Sequence, residues 1–173
     1  MKRSGLSVPD VMLVGVLLAA GAVLKFFVGS MFSVGMKPNF IIAMYCLAIL
    51  LIRPRIREAA AIGLLAGAVC QFFPGTPYIN FPSELVGAAV MAALVRVMPE
   101  GRAAAQFFCT FVSTLASGFA FVGIMYLALY TGADVKPAPL AIFLGIIFGT
   151  AFINSVVVQI LYAPLRLARR QQR

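Results

Sequence analysis

Apolar residues recur along the whole chain in six stretches, at about 9–29, 38–52, 58–73, 83–98, 104–131 and 138–163, separated by short polar or proline-containing breaks. A bilayer hydrocarbon core of about 30 Å takes around 20 apolar residues per helix. The pattern therefore predicts an all-α membrane protein of six transmembrane helices, in which stretches two to four are shorter than the usual span. Prolines mark the ends. Pro38 and Pro82 fall in first turns, where a missing N–H costs nothing, and Pro54 and Pro99 sit just past helix ends. With no linker, low-complexity tract or internal repeat, residues 1–173 read as one domain.

Composition agrees with that pattern. The chain is 62% hydrophobic and 11% charged, against about 45–50% and roughly 25% in soluble domains. The net charge of +9 bears on topology. Lys2, Arg3, Arg53, Arg55, Arg57, Arg96, Arg102, Arg166, Arg169, Arg170 and Arg173 occupy alternate breaks, and the others carry only Lys25, Lys37 and Lys136. This is the positive-inside pattern. It predicts both termini in the cytoplasm and outer loops at about 30–37, 74–82 and 132–137. The basic residues then face anionic lipid heads, and no interleaved aromatics mark a nucleic-acid surface. Lys25 and further apolar residues follow "AAGA" directly, so the first stretch reads as a retained span and not a cleaved leader.

The chemistry available is narrow. The chain has no histidine, which removes zinc-protease and Ser-His-Asp constellations. It has no phosphate-binding loop for ATP, and spans two, three, five and six lack interior carboxylates. Cys46, Cys70 and Cys109 lie at unrelated spacings inside apolar stretches and read as small buried hydrophobes, with no metal motif. No enzymatic activity, metal or cofactor is expected.

One stretch stands apart. Residues 71–87 read QFFPGTPYINFPSELVG, with three prolines, four aromatics, Asn80 and a lone Glu84. Polar groups in or beside a membrane are site candidates because they are costly there. Glu84, in the first turn of span four, either caps that helix or pairs with a substrate ammonium. Lys37 is either a solvated interfacial lysine or a partner for a substrate carboxylate. Phe72, Phe73, Tyr78 and Phe81 form either an interfacial belt or the wall of an apolar pocket. Asn39, Gln71, Asn80, Asn154 and Gln159 serve neighbouring backbone or a ligand equally well. Lys25 has the option of snorkelling outward. One cation, one anion and an aromatic lining would suit a zwitterionic aromatic amino acid. Small residues also recur at helical spacing: Gly15, Ala19 and Ala22 in span one, Gly63 and Gly67 in span three, and Ala141, Gly145 and Gly149 in span six. Such stripes allow close helix packing, or present a docking face to another membrane subunit.

Gly35-Met36-Lys37-Pro38 entering span two, Phe73-Pro74-Gly75 followed by Asn80, and the small-residue face on span one carry a resemblance over the whole chain. The sequence resembles the substrate-binding S components of energy-coupling factor (ECF) transporters, most closely the TrpP tryptophan-transporter family. The resemblance implies a six-helix bundle in the bacterial cell membrane, binding tryptophan near its outer face. It also implies a transmembrane coupling subunit and two cytoplasmic ATPase subunits as partners. The span-one face, here Gly15, Ala19 and Ala22, would meet the coupling subunit; Gly15 departs from the family's A-x-x-x-A. A vitamin or other small aromatic as ligand, and a non-transport assembly role, are the competing expectations.

Overall fold

The computed structural model describes residues 5–31, 38–73, 78–135 and 139–171. They form six helices: α1 (Val8–Met31), α2 (Phe40–Ile52), α3 (Ile56–Cys70), α4 (Asn80–Val97), α5 (Ala103–Tyr130) and α6 (Leu140–Gln171). The chain is an all-α membrane bundle, as the hydropathy pattern predicts. Two boundaries differ from the sequence reading. Helix α4 begins at Asn80, so Asn80 and Phe81 are helical and not part of a loop. Helix α6 continues through Pro164 to Gln171. Apolarity ends near 163, but the helix does not, because basic residues favour a helix C-terminus and Arg166 and Arg169 are held by ion pairs to Glu100 and Asp10.

Helices α1, α4, α5 and α6 are long and apolar enough to cross a membrane. Helix α2 has only 13 residues, about 20 Å at 1.5 Å per residue. Its shortness is tolerated because every residue from Phe40 to Leu50 is buried. α2 packs against α1, α3, α4, α5 and α6 and forms the axis of the bundle. A helix enclosed by protein does not have to match the bilayer, since its neighbours already exclude lipid.

The arginine-rich ends of the helices meet. Asp10 at the start of α1 pairs with Arg169 near the end of α6, and Glu100 pairs with Arg53 at 3.3 Å and Arg166 at 3.6 Å. Arg53 takes a left-handed backbone conformation (φ 52°) to terminate α2, and its Nη2 donates to the Val95 carbonyl at 2.9 Å. Arg96 donates to the Pro54 carbonyl at 3.1 Å. Helices α1 to α6 thus alternate in direction between this end, cytoplasmic by the positive-inside rule, and an outer end.

The three small-residue stripes behave differently. Gly63 and Gly67 bring α3 against α4: a Cβ at Gly63 would lie 2.6 Å from the Glu84 carbonyl and 2.9 Å from the Leu85 Cα, and one at Gly67 would lie 2.8 Å from the Phe81 Cα. Ala141, Gly145 and Gly149 are exposed, and no atom lies within 4 Å of a Cβ built at either glycine. α6 instead joins α5 through phenylalanines, Phe107 with Phe152 and both Phe111 and Phe119 with Phe148. On α1, Val14, Leu17, Leu18 and Gly21 pack inward, Gly21 so closely that its Cβ would lie 3.0 Å from the Ile41 Cα. Gly15 and Ala19 are exposed on the other side and Ala22 is half-buried.

Because a methyl at Gly63 has to displace backbone, Gly63→Ala should lower the melting temperature of the detergent-purified protein, by an overpacking cost of about 1–3 kcal/mol. Gly145→Ala should leave it unchanged. Equal melting temperatures for the two variants would contradict this account of the α3–α4 contact.

Candidate functional site

Pro38 and Asn39 lead into α2 from the outer end, with Asn39 at the N-cap position in an extended conformation. An N-cap asparagine commonly accepts a hydrogen bond from its own helix. Asn39 makes no such bond. Its Nδ2 donates across the bundle to Glu84 Oε1 and approaches Cys70 Sγ at 3.6 Å. Glu84 lies in the second turn of α4 because that helix starts at Asn80, and it is 1% exposed. Its other oxygen accepts from Ser117 Oγ of α5 at 3.1 Å. The carboxylate is therefore held by α2 and α5, an arrangement distinct from a helix cap.

Further groups converge on the same level. Asn154 of α6, wholly buried, donates Nδ2 to the Asn39 carbonyl at 3.1 Å. Its Oδ1 has no hydrogen-bond partner among the described residues. Lys25 of α1 turns inward: its Nζ lies 3.4 Å from Cys70 Sγ at the end of α3 and 5.1 Å from the centre of the Phe73 ring. Tyr45 of α2, fully buried, brings its hydroxyl against Gly87, where Ser117 also packs. One turn further along α5, Ser113 Oγ donates to the Gly87 carbonyl at 2.9 Å and lies 3.3 Å from Cys46 Sγ. All six helices thus contribute to one polar cluster in an apolar bundle. Lys25 and Asn154 each stand 15 residues from the Asp10–Arg169 pair along their helices, about 22 Å at 1.5 Å per residue. That depth lies in the outer part of a hydrocarbon core about 30 Å thick.

Of the residues singled out in the sequence, Asn39, Glu84 and Asn154 meet in this cluster, and Phe73 lies at its edge beneath Lys25. Asn80 and Phe81 are half-buried in the first turn of α4, where the Phe81 backbone packs on Gly67. Phe72 and Tyr78 point away, 87% and 74% exposed. Gln71 spans the turn between α3 and α4, donating to the Gly67 carbonyl and accepting from the Tyr78 amide. Gln159 donates to the Ala103 carbonyl near the cytoplasmic end. Lys37, Pro74, Gly75 and Lys136 lie outside the described residues. From the sequence Cys70 reads as a small buried hydrophobe and Lys25 as a snorkelling side chain, and Tyr45 and Ser117 are not among the candidates. The signal for Ser117 was present: Thr110, Ser113, Thr114 and Ser117 repeat at helical spacing on one side of span five, and all are buried.

The sequence matches the family described as tryptophan transporter TrpP over residues 8–170. The chain belongs to the TrpP family. It is also 28% identical over 141 residues to a protein of Clostridium acetobutylicum described as a probable tryptophan transport protein, with 79% of this chain and 80% of that protein covered. No solved structure matches. Membership in TrpP, with the apolar helices, makes the chain a multi-pass protein of a bacterial membrane and places it among transporters.

Replacing Glu84 tests how far this TrpP cluster depends on its carboxylate. Glu84→Ala leaves the buried Ser117 hydroxyl without its acceptor, at about 1–3 kcal/mol, and takes the half-buried Asn39 amide's carboxylate partner away. Glu84→Gln keeps an acceptor and should lose less. Thermal melts ranking the two variants in the opposite order would show that the carboxylate does not organise the cluster.

Proposed function

We propose that this TrpP chain is the substrate-binding subunit of an ECF-type importer and that it takes up tryptophan. The observation that carries the reading is the buried Glu84 carboxylate, near the outer face, with groups from every helix gathered around it. A carboxylate inside a membrane protein is costly and marks a substrate or ion site by default. In this reading Glu84 pairs with the substrate ammonium and Asn154 Oδ1 adds a second acceptor. Asn39 holds the carboxylate in place. Phe73 and Phe81 supply aromatic surface for the indole ring, and Asn80, Phe72 and Tyr78 form the outer rim.

The chain carries no ATP-binding loop, so energy comes from partners: a transmembrane coupling subunit with two cytoplasmic ATPases. Support for a docking face comes from α1, whose Gly15 and Ala19 are exposed beside Val11, Met12 and Val16 while its opposite side packs on α2. Small residues on a lipid-facing side let a second helix approach closely.

Tryptophan at a hundredfold excess over Kd should stabilise the purified protein by about 2.7 kcal/mol, read as a rise in melting temperature. A rise with a vitamin and none with tryptophan would reassign the substrate. For the coupling face, Ala19→Leu should bind tryptophan like the wild type yet abolish uptake in cells. Normal uptake by that variant would move the docking face elsewhere.

A further inference from the structure

Lys25 is an ammonium placed inside a transmembrane helix, where such a group is costly unless it finds water or a partner. Its long stem would let it snorkel to the outer interface. It does the opposite: Nζ sits 3.4 Å from Cys70 Sγ, an atom of a residue only 1% exposed, with the Phe73 ring 5.1 Å away. A thiol is a weak acceptor and an aromatic face attracts a cation only modestly. Neither neutralises the charge. Of the five carboxylates in the chain, Asp10, Glu58 and Glu100 lie at the arginine-rich end and Asp134 is exposed beyond α5. Glu84 is the carboxylate that shares the outer interior with Lys25. The two form no ion pair; a chain of contacts links them, from Lys25 Nζ to Cys70 Sγ, to the Asn39 amide and on to Glu84.

We propose that Lys25 and Glu84 are the two poles of a site for the α-amino-acid zwitterion, Lys25 receiving the carboxylate and Glu84 the ammonium. The sequence offered Lys37 for the cationic role. The geometry points to Lys25, because its ammonium is turned into the bundle and is linked to Glu84 through Cys70 and Asn39. Phe73, beneath the Lys25 ammonium, then marks the side on which the ligand's aromatic ring lies. The inference rests on the amino-acid-binding reading above and adds the residue that selects for a free carboxylate.

Ligands that lack one charge provide the test. Full-length wild type, Lys25→Met and Glu84→Gln are purified in detergent and titrated with tryptophan, tryptamine (no carboxylate) and indole-3-propionate (no ammonium). Lys25→Met should bind tryptophan about ten- to a hundredfold more weakly, the range for a lost charge-assisted hydrogen bond, with its tryptamine affinity unchanged. Glu84→Gln should weaken tryptophan and leave indole-3-propionate unchanged. If Lys25→Met does not fold, Lys25→Gln, which has a similar stem and no charge, should show the same selectivity. Equal weakening of tryptophan and tryptamine, or no weakening, overturns the role of Lys25. A carboxylate-specific loss in Lys37→Met but not in Lys25→Met also overturns it. A wild type that binds other α-amino acids with this dependence on Lys25, but not tryptophan, supports the clamp and overturns the substrate. A wild type that binds no amino acid overturns both.

Discussion

The Glu84 carboxyl group is taken out of water, and several features of the bundle bear on that constraint. A buried polar group left without partners is costly, so it has to be met by donors from rigid elements. Asn39 and Ser117 provide them from α2 and α5. Each donor is itself held: the Asn39 backbone by Asn154 from α6, and the neighbouring turn of α5 by the Ser113–Gly87 contact with α4. The chain of dependence runs through four helices and leaves α1 and α3 to supply the cation and the thiol beside it.

Such a cluster requires close and reproducible helix packing, which a membrane does not supply by hydrophobic drive. Backbone contact supplies it here. Gly63 and Gly67 press α3 onto the first turns of α4, one of them directly against the Glu84 carbonyl, and Gly87 gives room for Tyr45 and Ser117. Gly21 does the same for α1 against α2. Small residues and buried polar groups therefore cooperate: glycines set helix separations at which the short side chains Asn39, Ser117 and Cys70 meet. The arginine network at the cytoplasmic end ties α1 to α6, and the ends of α2, α4 and α6 to one another, through Asp10 and Glu100. Both ends of the bundle are thus anchored by polar contacts, one solvated and one buried.

Helix α2 shows how packing relaxes a rule about length. At 13 residues it is too short to span by itself, yet its burial on all sides makes bilayer matching irrelevant to it. That shortness puts the start of α2, and hence Asn39, among the longer helices around it, where it meets Glu84 of α4 and Asn154 of α6.

Much of this was legible without coordinates. The apolar stretches, their number and the alternation of arginines determined a six-helix membrane protein with its basic ends together, because hydrophobic length and charge placement are local properties of a chain. The cost of a carboxylate in a membrane singled out Glu84 for the same reason. The sequence could not say which small-residue stripe packs internally, since Gly63 and Gly67 and Gly145 and Gly149 look alike until helix order and rotation are known. Nor could it say that Phe72 and Tyr78 turn outward, or that Lys25, Asn39, Cys70, Glu84, Ser117 and Asn154 stand at one depth. Those residues come from six helices, and their meeting depends on how far each helix extends and which side it turns inward. Only the packed bundle decides that, because contacts between helices, and not the pattern within any one of them, set the rotation of each helix.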